Sequence, residues 1–245
     1  MEGAYGVVSL FVPSQRPSGP RGGLRFPVAP RLFNQTCTLS PVTQSFRTLS
    51  APFEFEIDKI KNSRFLSALA PTKDEESAKA FVQEVRERYS DAGHHCFAWR
   101  LGETGAIFRS SDDGEPSGSA GRPILNQLEG HEVTNLTCVV VRWFGGVKLG
   151  VGGLVRAYGG AAGKALDRAP ILAVVIRVRV LLEFPYDCSG AVSGVLHGFG
   201  LQEQASDYGE VVRLELAVPK DEVPGLKFEL VERTGGRVSV HLPGD

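Results

Sequence analysis

The stretch "RWFGGVKLGVGGLVRAYGG", Arg142 to Gly160, decides how this chain is read. It follows "TNLTCVVV", a Val- and Thr-rich run with the composition of a buried strand, and it leads into Ala- and Leu-containing sequence that carries a helix to about Asp167–Pro170. It is therefore a strand, a glycine turn and a helix start. The stretch has three glycine pairs and three cations (Arg142, Lys148 and Arg156) but no acid. In this context free backbone N–H groups converge, and they favour an anion. Gly145 and Gly146 allow close approach of a ligand, and Gly152 and Gly153 sit at the helix start, where the dipole is positive. A phosphate site would use all seven residues. The alternative is internal: the loop "SDDGEP" supplies Asp112, Asp113 and Glu115, which would neutralise Arg142 and Arg156, with the glycines serving close packing. The residues alone leave both open. The stretch is not a Walker loop, since no G-K-[ST] is present, and a dinucleotide fingerprint fails in register.

Outward from this motif, the chain of 245 residues suits one large domain or two of ordinary size. Its hydrophobic fraction of 42% and charged fraction of 22% are those of a soluble globular protein. The net charge of -1 gives no overall attraction to nucleic acid or anionic membrane, so such binding has to be local. No apolar run approaches the roughly 20 residues of a membrane span. Cys37, Cys96, Cys138 and Cys188 are far apart and form no C-x-x-C pair, which reads as reduced thiols inside a cell.

Residues 1–50 carry Arg16, Arg21, Arg25, Arg31 and Arg47 against the single acid Glu2, with scattered Pro, Gly, Ser and Thr. This predicts a disordered leader. It is also the composition of a transit peptide, which would move an otherwise cytoplasmic protein to an organelle; a dispensable tail or an upstream start codon are the other readings.

A first domain is predicted over 51–171. "FEFEI" and "SRFLSALA" read as strands, Thr72 and Glu75 as a capping box opening a helix, and "HCFAWRL" and "GAIFRS" as a strand pair. A second domain, 172–245, has the order β-α-β-β-α-β of a ferredoxin-like unit, starting with "AVVIRVRVLLEF" as one strand. The fold class is α+β in two domains.

Further constellations carry less. His94 and Cys96 share a strand face, and two further ligands such as Asp112 and Asp113 would complete a zinc set, but packing explains them better and no metal is expected. Asp112, Asp113 and Glu115 beside an anion site would suit magnesium and a small-molecule phosphotransferase. No nucleophile–base pair or complete catalytic motif accompanies them, so no catalytic residue and no cofactor are assigned.

"SDDGEPSGSAGRPIL" followed by "VVVRWFGGVKLGVGGLVRAYGGAAGKAL" resembles the IMPACT/YigZ family of translation-associated proteins. "KNSRFLSAL" and "HHCFAW" extend the resemblance, although Ser119 and Trp143 stand where threonine and tyrosine are usual. It implies a first domain like a small-subunit ribosomal-protein domain and domain IV of elongation factor G, and a ferredoxin-like second domain as in bacterial YigZ-type members. It also implies a non-catalytic modulator of translation that contacts RNA or the ribosome, with a translation-regulatory protein as a further partner. A phosphotransferase and a pure protein-interaction module are the rival functions.

Overall fold

A computed structural model describes residues 44–243. They form two compact units, Ser45–Ile176 and the chain from Arg177 onward.

The first unit is built on a five-stranded antiparallel sheet. Its strands are β2 (Phe53–Ile60), β3 (Ser63–Pro71), β4 (His94–Leu101), β5 (Ile107–Ser111) and β6 (Leu136–Trp143), in the order β2-β3-β6-β4-β5. Helix α1 (Glu75–Arg88) covers one face; α2 (Gly121–Gly130) and α3 (Val151–Leu166) cover the other. Covered on both faces, the central strand β6 is buried at every position from Leu136 to Arg142, which is why it reads as an unbroken Val-rich run. One core joins Phe65, Leu69, Val140, Ile124 and Tyr158 beneath α2 and α3. The other joins Val82, Val85, Trp99 and Val139 beneath α1.

The capping box of α1 lies two residues beyond the predicted one. Asp74 is the N-cap: its Oδ1 accepts the Ser77 N–H at 2.8 Å, and Ser77 Oγ accepts the Asp74 N–H at 3.3 Å. Thr72 is buried instead, its hydroxyl 2.9 Å from that of Thr137. Both sites fit the T/D-x-x-E/S pattern, and burial of Thr72 against β6 selects between them.

The second unit contains β8 (Arg177–Phe184), α4 (Ser189–Gly198), β9 (Glu203–Tyr208), β10 (Val212–Pro219), α5 (Val223–Thr234) and β11 (Ser239–His241). Its antiparallel sheet has the order β11-β8-β10-β9. Numbered within the unit this is 4-1-3-2, the ferredoxin-like arrangement expected from the element order. Val180, Leu182, Leu214 and Leu216 alternate inward to meet Val192, Leu226 and Leu230 of the two helices.

The predicted boundaries shift at both ends of the first unit. "AVVIRVRVLLEF" is two strands. Its first part belongs to β7 (Ile171–Val175), which pairs antiparallel with β1 (Ser45–Leu49) in the register Ser45↔Val175 to Leu49↔Ile171. The break falls after Ile176, so the expected join at 171/172 lies within a strand of the first unit. Residues 45–49, assigned to the leader, are a strand whose Leu49 is buried in the main core, while residues 1–43 lie outside the described residues. The Arg47 carbonyl also accepts the Thr134 N–H at 2.8 Å, tying β1 to the segment that enters β6. Leu49→Ala is expected to destabilise the first unit by about 2–4 kcal/mol, read from its urea midpoint. A change below about 0.5 kcal/mol would show that β1 contributes no packing.

Candidate nucleic-acid interface

The strand–turn–helix that β6 and α3 form divides the predicted phosphate residues into an inner and an outer set. Arg142, near the end of β6, is only 4% exposed. Its Nη1 donates to Glu115 Oε1 at 2.5 Å, and the Tyr158 hydroxyl of α3 donates to the same oxygen at 2.7 Å. Nη2 donates to Ser63 Oγ at 3.4 Å, while Nε is buried without a partner. Arg142 therefore serves Glu115 and is not a solvent-facing phosphate ligand, a correction to the expected seven-residue site. Gly145 is corrected in the same way. A Cβ there would lie 2.1 Å from the Asn62 carbonyl carbon, so this glycine admits the backbone of the β2–β3 turn rather than a ligand.

The acidic loop is likewise occupied with internal work. Asp112 accepts the Gly118 N–H at 2.8 Å through Oδ2, and the Ala120 and Gly121 N–H groups at 2.9 and 2.8 Å through Oδ1. It thereby caps α2, whose own N-cap, Ala120, has no side chain for the purpose. Burial raises its pKa, but the three N–H bonds outweigh this and hold the carboxylate below its usual range. Asp113 pairs with Arg86 of α1 and accepts the His95 N–H at 2.6 Å. The loop thus reaches Arg142 through Glu115 and does not neutralise Arg156.

The outer set is open. Lys148 and Arg156 are exposed and, among the described residues, make no salt bridge or side-chain hydrogen bond. Helix α3 starts at Val151 behind Gly150, with no capping side chain and no acid in its first turn. The N–H groups of Val151, Gly152 and Gly153 are therefore unpartnered within the helix. Arg156 folds back toward that end: a Cβ on Gly152 would lie 3.8 Å from its Nη1. Gly146, at φ +85°, turns the exposed loop toward Lys148. Lys61, in the turn packed on Gly145, is a further exposed cation without an ion pair among the described residues. Exposed Phe144, Val147, Val151 and Val155 lie among these charges.

His94 and Cys96 do not join Asp112 and Asp113 in a ligand set. Cys96 Sγ donates to the Asp112 carbonyl at 3.0 Å, and His94 Nδ1 lies 2.9 Å from the Asp113 carbonyl. Among the described residues no group of three or more His, Cys, Asp or Glu side chains is placed to hold a metal. Burial pushes the Cys96 thiol up to about 12 and raises the Tyr158 hydroxyl strongly as well. Both groups of this cluster are thus held protonated and unreactive.

A profile of the Impact N-terminal domain matches residues 61–166, and one of a domain of unknown function, DUF1949, matches residues 182–237. IMPACT family member YigZ of Escherichia coli (strain K12) is 38% identical over 186 residues, which cover 75% of this chain and 91% of that protein. The chain belongs to the IMPACT family. An IMPACT family member from Thermus thermophilus is 44% identical over 160 residues, covering 65% of this chain and 86% of its own length. A crystal structure titled as a hypothetical protein superposes with a TM-score of 0.57 at 37% identity, covering 81% of this chain and 97% of that one.

Within this IMPACT family member, sequence reasoning missed Lys61, Phe144 and Tyr158. Lys61 opens "KNSRF" and Phe144 lies within "RWFGG", where a charged turn and an aromatic beside glycines were the available signals. Tyr158 carried none, because only the fold sets it against Glu115.

Two predictions follow from this division. Arg142→Ala leaves Glu115 buried and unpaired and should cost about 3–5 kcal/mol, whereas Arg156→Ala should stay within about 0.5 kcal/mol of wild type. Equal losses in urea denaturation would refute the inner–outer distinction. Asp112, whose folded pKa is depressed, stabilises fully above the ordinary carboxylate value of about 4, and this contribution is lost as pH falls through the folded value. The stability gap between wild type and Asp112→Ala should therefore be wide at neutral pH and narrow in acid. A gap that is constant across the titration would remove the carboxylate's charge from the account.

Proposed function

We propose that this chain is a non-catalytic RNA- or ribosome-associated modulator of translation, working in the cytoplasm, without a cofactor. The observation that carries the reading is the outer set, exposed and without ion pairs among the described residues: Lys61 in the turn packed on Gly145, Lys148 in the loop before α3, and Arg156 beside the uncapped start of α3. Unpaired cations and free N–H groups gathered on one surface are what a phosphate backbone requires, in a chain whose net charge offers no general attraction. In this reading Gly146, Gly152 and Gly153 keep the backbone accessible, and Arg142 and Gly145 hold the surface from beneath. The likeness to ribosomal-protein and elongation-factor domains that the family resemblance implies points in the same direction.

A phosphotransferase is less well supported, because Asp112, Asp113 and Glu115 are all engaged in hydrogen bonds that build the loop. A protein-interaction module has one observation in its favour, the exposed Phe144, Val147, Val151 and Val155. A translation-regulatory protein docking there would bind through apolar area and depend weakly on salt.

Ribosome co-sedimentation across a salt series separates these. Binding should weaken steeply with salt, and Lys148→Ala and Arg156→Ala should each flatten the log–log slope by about 0.7–0.9 without lowering stability. Salt-insensitive binding unchanged by both substitutions would end the phosphate reading and favour the protein partner.

A further inference from the structure

Resting on that reading, we propose that the RNA taken by this surface is single-stranded, and that Phe144 is the platform on which one unpaired base stacks. Phe144 directly follows the end of β6, and the residue is 54% exposed. The guanidinium of Arg142 lies 5.4 Å from its ring centroid and 5.6 Å from that of the buried Phe65. Arg142 is thus layered against both an interior and an exterior ring. It is itself fixed by Glu115 and Ser63, and Gly145, which follows Phe144, is locked against Asn62. An exposed aromatic on a glycine turn would ordinarily be mobile. This one has a cation–π contact to a buried, ion-paired arginine and a short tether on its C-terminal side.

A ring held by such a contact and largely open to solvent suits a nucleobase, since every base has a π-face and stacking tolerates sequence. A duplex offers none: its bases are stacked on one another, and it presents phosphates and 2′-hydroxyls to a protein surface. The neighbouring charge agrees with a strand passing over the ring. Exposed Lys61 begins the turn packed on Gly145, the residue after Phe144, and exposed Lys148 follows in the same loop. A protein partner would also accept Phe144, but the unpaired lysines of the adjoining turn and loop would then have to be matched or desolvated.

The test uses the full chain and two end-labelled RNAs of equal length, an unstructured single strand and a perfect duplex, measured by fluorescence anisotropy at one salt concentration. Wild type should prefer the single strand. Phe144→Leu should weaken single-strand binding about 5- to 150-fold while leaving duplex binding within about two-fold, and Phe144→Trp should restore it. Lys148→Ala should weaken both RNAs alike. Duplex preference, or single-strand binding unmoved by Phe144→Leu, overturns the stacking platform while the phosphate reading stands. If neither RNA binds, the underlying reading falls and this inference with it. Loss of ribosome co-sedimentation in Phe144→Leu, with no affinity for either RNA in wild type, would assign the ring to a protein partner.

Discussion

The buried ion pair of Arg142 and Glu115 joins three parts of the first unit that are distant in sequence. Arg142 ends the central strand, Glu115 lies in the acidic loop, and Tyr158, which shares the carboxylate, belongs to α3. Two charges out of water are favourable only when their remaining hydrogen-bonding capacity is met. Tyr158 and Ser63 supply part of it here, and Arg142 Nε is left without a partner. The loop can then descend to place Asp112 at the start of α2, and the turn after β6 can leave the sheet at a fixed angle. The same arginine, layered between Phe65 and Phe144, carries the interior network to the surface.

This arrangement explains why a motif full of positive charge occurs in a nearly neutral chain. The acids of the loop point inward and are consumed by backbone N–H groups, Arg86 and Arg142. The cations of the following loop and helix point outward and are left unmatched. The opposite orientation of these two groups leaves positive charge exposed locally that the net charge conceals, and local fields govern encounter with a polyanion.

The ferredoxin-like unit contrasts with this. On its sheet, Arg179 pairs with Glu215 across β8 and β10, and Arg213 pairs with Glu183. These exposed pairs add little stability, but they neutralise charge that a phosphate would otherwise meet. Tyr186 and Tyr208 are exposed elsewhere in the unit, with ring centroids 6.4 Å apart. The residues of the candidate interface lie within the stretch that the Impact N-terminal domain matches.

Local pattern was enough for much of the architecture. The Val run of β6 and the β-α-β-β-α-β order of the second unit are properties of neighbouring residues, and they determined element types and fold class. The motifs "SDDGEPSGSAGRPIL" and "RWFGGVKLGVGGLVRAYGG" determined the family in the same way. The sequence by itself left open which cation meets which acid. Ion pairing, burial and strand pairing depend on distances between residues far apart in the chain: 27 positions separate Glu115 from Arg142. For this reason β1 was invisible within an arginine-rich leader until Val175 came beside Ser45. For the same reason only the tertiary structure decided that Arg142 faces inward while Lys148 and Arg156, in the same glycine stretch, face the solvent.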